Sequence, residues 1–291
     1  MNKSLIYFLI PLILSSCSDF KDLGLINIDS DTKTVSKLEF QTQGRVNDLL
    51  NADIFYPSDK DGNLVELNKY DIIISVQGGL VKSERYDWLT RHLASKGYIV
   101  ISPKHLLDLA FFEVDNSYLI LNSFLEKYSK SEKLKKFQGK KGKIVIIGHS
   151  LGGVVAAYQW QRYPEINGLI LLASYPDEKS DISNIKDKPV LSITGSNDKK
   201  SLPEKVRKGF DSIKSQKVLA EVQGMNHYAW TDNFTQEELK SDGIIEGNLT
   251  NLRNTAFNVI DAWLDYVFSD NTQSLNKLKQ NSIAGVKIIS E

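Results

Sequence analysis

The chain has 291 residues, of which 41% are hydrophobic and 25% are charged, a composition typical of globular proteins. This length allows one large α/β domain or two small domains. Lysine plus arginine and aspartate plus glutamate number 36 each, so the balanced charge argues against a nucleic-acid partner and against selection of acidic substrates.

Residues 1–16 have the pattern of an export signal. Lys3 precedes an apolar run at residues 5–14, which is too short to span a bilayer, and small residues then lead to Cys17, the only cysteine. The sequence Leu14-Ser15-Ser16-Cys17 resembles the lipobox of bacterial lipoproteins, which implies cleavage before Cys17 and lipidation of its thiol. The alternative is a plain secretory signal followed by an incidental cysteine.

Lipidation of Cys17 would make this a lipid-anchored membrane lipoprotein of the bacterial cell envelope. Each buried methylene group of an acyl chain contributes about 0.8 kcal/mol to membrane binding, so several chains form a firm anchor. Residues 17–36 are polar and rich in aspartate, and we expect them to form the lipidated N-terminus and a tether facing the periplasm or the cell exterior. No later apolar run reaches about 18 residues, so no further span is predicted.

After the tether, short apolar runs alternate with longer helical patterns, which predicts an α/β fold with a mostly parallel sheet and helices on both faces. One domain is expected over residues 37–268, with residues 269–291 as a C-terminal tail. The first two strands are expected to form an antiparallel edge, followed by a turn at residues 59–62. The predicted strands are residues 38–41, 52–56, 70–76, 98–102, 144–147, 167–172, 189–194 and, as the last strand, 218–222. The predicted helices are residues 84–95, 117–137, 154–161, 203–213 and 252–268.

The most informative segment is KIVIIGHSLGG, which ends at Gly153. A β-branched run leads into Gly-x-Ser-x-Gly, and a helix-forming stretch follows, which is the strand, turn and helix of a nucleophile elbow. Gly148 and Gly152 leave room around the strained backbone that such a turn gives to Ser150. The flanking strand and helix favour the elbow over a coincidental surface turn. Ser150 is therefore the predicted nucleophile.

The predicted base is one of four histidines. A serine hydroxyl is a weak nucleophile near neutral pH, so Ser150 needs a base that an acid orients. His227 follows the last predicted strand, after Gly224, and lies C-terminal to the serine, as the order Ser, Asp, His requires. His105, in the loop after another strand, is the rival. His149 adjoins the serine, and its side chain is expected to point away from the Ser150 hydroxyl and to pack in the protein. His92 is expected to be a surface or partly buried residue of a helix.

The predicted acid is Asp198, which leaves the strand at residues 189–194 through Gly195-Ser196-Asn197-Asp198. This position places a carboxylate at the carboxyl edge of the sheet. Asp177, one strand earlier in Ser174-Tyr175-Pro176-Asp177, is the alternative acid. Either aspartate has a purely structural interpretation as a turn residue that bonds its own backbone.

Two backbone N–H groups are expected to stabilise the oxyanion of a tetrahedral intermediate. One is that of Leu151, at the start of the helix after the elbow. The other comes from the loop Gln77-Gly78-Gly79-Leu80, where glycines let the main chain approach a substrate. Gly79 and Leu80 are both candidates for this second donor, and a plain Gly-Gly turn is the alternative.

These motifs resemble the α/β-hydrolase superfamily, and they are most similar to α/β-hydrolase family 5, the branch related to the dienelactone hydrolases. The resemblance covers roughly residues 70–268. It implies an α/β-hydrolase fold and a serine hydrolase. Gln77 departs from the family, because proline or histidine is expected at its position. Ser150 stands where the dienelactone hydrolases have a cysteine nucleophile, and this difference favours esters over a dienelactone as substrates. The matching segments are Gln77-Gly78-Gly79-Leu80-Val81, residues 97–103, residues 107–112, the elbow, Gly195-Ser196-Asn197-Asp198 and Gly224-Met225-Asn226-His227.

The substrate pocket is expected to be open, because the connection at residues 173–189 is short and polar and leaves no room for a large cap. An apolar stretch after the strand at residues 98–102 is interpreted either as an acyl pocket or as core packing of a long loop. Residues after His227 are expected to form another wall. The residues concerned are Leu106, Leu107, Leu109, Phe111 and Phe112 in the stretch, and Tyr228 and Trp230 in the wall.

The sequence therefore predicts a membrane-tethered enzyme that hydrolyses small-molecule carboxylic esters through an acyl-enzyme, with no metal or organic cofactor. A peptidase, thioesterase or acyltransferase would use the same residues. A cell-surface binding lipoprotein without turnover is the alternative from another functional class, since fold does not determine function. The oligomeric state is not predicted.

Overall fold

The computed structural model describes residues 34–44, 49–110, 114–176, 187–280 and 283–290 of the chain. The strands are β1 (Thr34–Gln43), β2 (Leu49–Ser58), β3 (Tyr70–Val76), β4 (Ile99–Lys104), β5 (Lys141–His149), β6 (Ile166–Leu172), β7 (Val190–Gly195), β8 (Lys217–Val222) and β9 (Val286–Ser290). The helices are α1 (Asp87–Ser95), α2 (Asn116–Lys127), α3 (Leu151–Arg162), α4 (Pro203–Ser212), α5 (Gln236–Lys240), α6 (Leu249–Ser269) and α7 (Thr272–Lys279).

All nine strands form one sheet in the order β1-β2-β4-β3-β5-β6-β7-β8-β9. The six central strands, from β4 to β8 in this order, are mutually parallel. The strands β1, β2 and β9 extend the two edges with antiparallel pairing. The predicted mostly parallel sheet with an antiparallel start is therefore confirmed. Because the central strands are parallel, their carboxyl ends share one edge, where ligands bind in folds of this type.

The sheet is covered on both faces, which explains why its central strands are apolar along their whole length. All seven residues of β3 are buried. Ile72 and Ile74 pack with Phe124 of α2 and Trp160 of α3, whereas Ile73, which points to the opposite face, packs with the cluster that includes α1 and α6. Helices α2, α3 and α4 thus cover one face, and α1, α6 and α7 cover the other.

Two predicted helices differ from the structure. The helix predicted at residues 117–137 ends at Lys127, and short 3₁₀ turns at Tyr128–Lys130 and Glu132–Phe137 follow it. The interruption lies at Ser131, whose backbone is extended, and it lets Phe137 pack into the core with its ring 5.4 Å from that of Tyr70. Burial of this aromatic ring outweighs the helical propensity of the lysine-rich segment. The helix predicted from residue 84 begins as a 3₁₀ turn, and α1 itself starts at Asp87.

The prediction that residues 218–222 form the last strand is wrong. In the described part of the C-terminal tail, α7 packs beside α6, and β9 then pairs antiparallel with β8. Asp270 ends α6 in the left-handed conformation, with φ of 55°, and so turns the chain back toward the sheet. The strand β9 covers an edge of β8 that would otherwise expose unpaired backbone groups.

Several predictions fall on residues that the structure does not describe. The signal peptide, Cys17 and most of the tether lie in residues 1–33, and most of the connection predicted to lack a cap lies in residues 177–186. In the described ranges, no helix combines the length and the apolar character needed to cross a bilayer.

Candidate active site

Ser150 occupies the sharp turn between β5 and α3. Its backbone has φ of 53° and ψ of −125°, a conformation that side-chain-bearing residues rarely adopt and that marks stored strain. A methyl group at Gly148 would overlap the backbone of Gly152, and one at Gly152 would overlap the carbonyl oxygen of Gln77. The predicted strand, turn and helix are present, and glycine is needed at both flanking positions because backbone atoms fill the space of a side chain.

The structure brings the imidazole of His227 between Ser150 and Asp198. Nε2 of His227 lies 2.9 Å from Oγ of Ser150. Nδ1 lies 2.9 Å from Oδ2 of Asp198. Both His227 and Asp198 are buried. A serine, a histidine and an aspartate joined in this way have the geometry of a nucleophile, a base and an orienting acid.

The carboxylate of Asp198 is itself held by backbone donors. Its Oδ1 accepts hydrogen bonds from the N–H groups of Lys200 and Ser201, at 2.8 and 2.7 Å. These bonds leave Oδ2 to face the imidazole. The loop after β7 thus fixes the orientation of the carboxylate through backbone groups.

Sequence reasoning missed a second buried carboxylate, Asp242. Its Oδ2 accepts hydrogen bonds from the backbone N–H groups of His227 and Tyr228, at 2.7 and 3.2 Å. Its Oδ1 accepts from the N–H of Lys199, at 2.9 Å. Asp242 therefore links the loop that carries Asp198 to the loop that carries His227. The only feature of the sequence that points to Asp242 is its negative charge, in the acidic loop that reaches Gly247.

The other three histidines do not take the place of His227 in these contacts, and the alternative acid lies outside the described residues. Nε2 of His105 lies 3.5 Å from the hydroxyl of Ser117, at the start of α2. His92 contacts Asp261 at 2.9 Å and stacks on Phe257, as expected of a partly buried residue. His149 is buried, which agrees with its predicted packing role. Asp177 is not among the described residues.

The geometry separates the two candidates for the second oxyanion donor. The N–H of Leu80 donates to the carbonyl oxygen of Asp108 at 2.8 Å, so this donor is occupied. The N–H of Gly78 donates to the hydroxyl of Tyr86 at 2.9 Å. Between them, the N–H of Gly79 has no hydrogen-bond acceptor among the described residues. A methyl group at Gly79 would lie 3.0 Å from the side chain of Leu151, so the loop at Gly79 packs against the residue that carries the other proposed donor.

Gln77, which departs from the family pattern, has a place in the same loop. Its side chain is buried, and its Nε2 lies 3.3 Å from Oδ1 of Asp108. Asp108 also accepts the backbone hydrogen bond from Leu80. The loop after β3 is thereby tied to the loop after β4 at two points.

The apolar stretch after β4 is exposed where the structure describes it. Leu106 and Leu107 are 70% and 72% exposed, and Leu80, in the neighbouring loop after β3, is 73% exposed. Core packing, one of the two interpretations of this stretch, is therefore wrong for Leu106 and Leu107. Leu109 is half-buried, near the place that a side chain at Gly79 would occupy. The remaining two residues of the stretch, Phe111 and Phe112, lie outside the described residues.

The two predicted wall residues differ from each other. Tyr228 is half-buried, with its ring 5.6 Å from that of His227, so it lies beside the site. Trp230 has no exposed surface, and it packs near Trp88 in the core between the sheet and α6. The prediction that Trp230 lines the pocket is therefore wrong, because its large apolar side chain is more stable in the core.

The family of the chain follows from comparison with known proteins. A family model described as alpha/beta hydrolase family matches residues 72–245, more than half of the chain. The matched region contains the elbow and the loops that carry Asp198 and His227. A comparison with curated proteins found no match. The strand order, the elbow and the family match lead to one conclusion: the chain belongs to the alpha/beta hydrolase family, which indicates that it is a hydrolase.

Proposed function

We propose that this protein is a serine hydrolase that cleaves carboxylic esters through an acyl-enzyme formed on Ser150. The observation that carries the proposal is the position of the His227 ring between Ser150 and Asp198. Nε2 lies 2.9 Å from the Ser150 hydroxyl oxygen, and Nδ1 lies 2.9 Å from the Asp198 carboxylate. Serine is not nucleophilic without such a base, so this geometry is the part of the molecule most specific to the chemistry.

In the proposed reaction, Nε2 of His227 takes the proton of the Ser150 hydroxyl as Oγ attacks the carbonyl carbon of the ester. The carbonyl oxygen becomes an oxyanion, which accepts hydrogen bonds from the N–H groups of Leu151 and Gly79. Asp198 stabilises the imidazolium through Nδ1. The tetrahedral intermediate then collapses, the carbon–oxygen bond to the alcohol breaks, and the imidazolium donates its proton to the departing alcohol. Water, activated by the same base, hydrolyses the acyl-enzyme.

The exposed leucines around the site support an apolar group on the substrate. Leu80, Leu106 and Leu107 lie on the loops that follow β3 and β4, at the edge of the sheet where Ser150 also lies. Large exposed apolar side chains grouped beside a polar site are typical of binding surfaces. An aliphatic acyl chain or alcohol would cover them and remove their surface from water.

A series of p-nitrophenyl esters of increasing acyl length, with matched amide and thioester analogues, tests this proposal. We expect the ester to be hydrolysed with a burst of one nitrophenolate per protein when deacylation is slower than acylation, and Ser150→Ala to show no burst. We also expect kcat/KM to rise with acyl length over the first few carbons, by up to about 4-fold for each methylene group that the leucines cover completely. A folded wild type that binds the esters without turnover would favour the surface-binding alternative. Amide or thioester turnover above ester turnover would identify a peptidase or a thioesterase.

We also propose that Cys17 carries a lipid and anchors the protein in the bacterial cell envelope. The support is the apolar run that ends in Leu14-Ser15-Ser16-Cys17, together with the position of the first strand. Strand β1 is antiparallel to β2, which is antiparallel to β4, so β1 begins at the edge of the sheet opposite Ser150. An anchor that precedes β1 would therefore leave the site open.

Cys17→Ser tests the anchor. The variant should lose incorporation of radiolabelled fatty acid and should no longer fractionate with membranes unless it remains as uncleaved precursor. Solubilised wild type and the variant should hydrolyse the same esters at the same rate, because the altered residue lies far from the site in sequence. Native protein that is free in the periplasm or the medium and carries no lipid would contradict the anchor and leave the hydrolase proposal intact.

A further inference from the structure

A buried tyrosine touches the loop that supplies the oxyanion donor. Tyr86, at the end of the 3₁₀ turn Ser83–Tyr86, is 2% exposed. Its hydroxyl oxygen accepts a hydrogen bond from the N–H of Gly78 at 2.9 Å, and it lies 2.8 Å from Nδ1 of His149. The three residues Gly78, Tyr86 and His149 thus form a chain of hydrogen bonds directly behind the proposed oxyanion site.

The direction of these bonds follows from the need of the buried Tyr86 hydroxyl for an acceptor. Its oxygen accepts from Gly78, and among the described residues only Nδ1 of His149 is within hydrogen-bond distance as an acceptor, so the hydroxyl hydrogen is donated to Nδ1. His149 must then be neutral and carry its proton on Nε2. Burial, together with the nearby His227 and Arg85, holds the pKa of His149 well below its ordinary value of 6.5, in agreement with a neutral ring.

His149 also contacts the base. Its ring lies 4.6 Å from that of His227, and the backbone of His227 is a further neighbour of the buried imidazole. Nε2 makes no hydrogen bond of good geometry with a described residue. His149 therefore packs between the hydroxyl of Tyr86 on one side and the base on the other, which joins the two halves of the site.

The segment that carries Tyr86 is itself anchored. Arg85 donates to the carbonyl oxygen of Asp232 at 2.7 Å and forms an ion pair with Glu238 at 2.8 Å. Both partners belong to the chain that follows His227. A methyl group at Gly78 would lie 2.9 Å from both the Tyr86 hydroxyl and Nδ1 of His149, so the absence of a side chain at Gly78 allows this close approach.

We propose that Tyr86 and His149 are positioning residues that hold the Gly79 N–H toward the oxyanion, an inference that rests on the proposed serine-hydrolase function. The N–H groups on either side of Gly79 are both tied to the protein, that of Gly78 to Tyr86 and that of Leu80 to Asp108. Two consecutive glycines are otherwise free to rotate. Because the N–H groups of Gly78 and Leu80 are both held by hydrogen bonds, the N–H of Gly79 is left to point toward the substrate.

Tyr86→Phe tests the role of the hydroxyl while keeping the ring. We expect kcat to fall on the order of 10-fold with KM nearly unchanged, less than the roughly 10²–10³ that follows loss of a whole oxyanion donor. The matched control is Tyr70→Phe. Tyr70 is also buried, but it lies at the opposite edge of the sheet. Its hydroxyl likewise accepts a hydrogen bond from a backbone N–H, that of Leu67, and it donates one to the carbonyl oxygen of Val65. The control should keep the wild-type kcat.

Substitutions of His149 test the second bond in the chain. The amide oxygen of His149→Asn lies near the position of Nδ1 and can accept from Tyr86, whereas His149→Leu cannot. We expect the asparagine variant to retain several-fold more kcat than the leucine variant. Adding Tyr86→Phe to the leucine variant should lower kcat less than it does in wild type, because the bond is already lost.

Nitrogen-15 NMR of labelled histidine provides a readout that does not need activity. The wild type should show His149 with its proton on Nε2 and a hydrogen-bonded Nδ1 that shifts in Tyr86→Phe. Such a spectrum in a protein without ester turnover would contradict the proposed function and leave the hydrogen-bond chain standing. An active wild type whose Tyr86→Phe variant matches Tyr70→Phe in kcat would overturn the inference, as would equal rates for the two His149 variants.

Discussion

Two buried carboxylates contact the same histidine at different atoms. Asp198 contacts the ring nitrogen Nδ1 of His227, whereas Asp242 accepts hydrogen bonds from the backbone N–H groups of His227 and Tyr228. The first can determine which tautomer the imidazole adopts, and the second can only determine where the loop lies. The two carboxylates should therefore respond differently to the same substitution.

Asp198→Asn should lower kcat on the order of 10⁴-fold while the fold stays intact, because an amide favours the wrong tautomer of the base. Asp242→Asn keeps one oxygen acceptor, so it should lower kcat by less than about 10-fold and act mainly through a lower Tm. Steady-state kinetics and thermal unfolding of both variants measure the difference. Equal losses of kcat, or a larger loss at Asp242, would contradict the assigned roles.

Among individual residues, the sequence predicts those that belong to motifs and does not predict those that act through tertiary contacts. Ser150, Asp198 and His227 each follow a strand in a recognisable pattern, and the structure brings them together. Asp242 and Tyr86 have no such pattern, because their partners lie 15 and 63 residues away and only folding reveals them. Trp230 was misassigned because adjacency to His227 does not determine which way a side chain points.

At the scale of the elements, helix α3 packs unusually close to strand β3. A methyl group at Gly152, in the first turn of α3, would overlap the carbonyl oxygens of Val76 and Gln77. These atoms belong to the backbone and cannot move without shifting the loop at residues 77–80, which carries the proposed oxyanion donor. The close approach thus links the position of the helix to that of the loop.

Gly152→Ala should therefore destabilise the protein, although alanine is favoured over glycine in a helix by about 1 kcal/mol. We expect a loss of about 1–3 kcal/mol in the free energy of unfolding, as for other overpacked sites. Val154→Ala, in the same helix at a half-buried position, is the control and should cost less. Chemical denaturation of both variants measures the effect. An increase in stability for Gly152→Ala would show that α3 does not pack this closely.

The elements that sequence patterns predicted best are the central strands, because a strand buried on both faces is apolar throughout. The errors occur where tertiary packing decides the local structure. Phe137 breaks a helical pattern because its ring reaches the core beside Tyr70. Strand β9 was missed because its short pattern from Val286 becomes a strand only when β8 offers an edge.

At the scale of the whole molecule, the buried His149 links stability to pH. Its folded-state pKa is lowered, first by burial and then by the charge of His227, so the unfolded chain binds the proton more tightly. Below the ordinary value of 6.5, the unfolded state takes up more protons than the folded state, and the free energy of unfolding falls as the pH falls. Above that value this contribution is fully present.

His149→Asn removes this proton linkage. Between pH 6.5 and a pH one unit lower, the free energy of unfolding of wild type should fall by about 1 kcal/mol more than that of the variant. Urea denaturation of both proteins at the two pH values measures the difference. Parallel changes in the two proteins would show that His149 titrates normally and is not held neutral by its surroundings.

The overall architecture follows from the alternation of strands and helices, and the family match over residues 72–245 agrees with it. Parallel strands bring Ser150, Asp198 and His227 to one edge of the sheet from loops far apart in sequence. The sheet thereby supplies the scaffold, and the loops after β3, β5, β7 and β8 carry the residues of the proposed active site. We propose that the contacts at this edge make Ser150 a nucleophile.

Covalent labelling with a fluorophosphonate probe shows whether Ser150 is nucleophilic. The wild type should be labelled once, on Ser150, as located by mass spectrometry of the digested protein. Ser150→Ala should remain unlabelled, and His227→Ala should be labelled far more slowly because the base is missing. A wild type that is folded by circular dichroism yet stays unlabelled, or that is labelled at another residue, would contradict the assignment of Ser150 as the nucleophile.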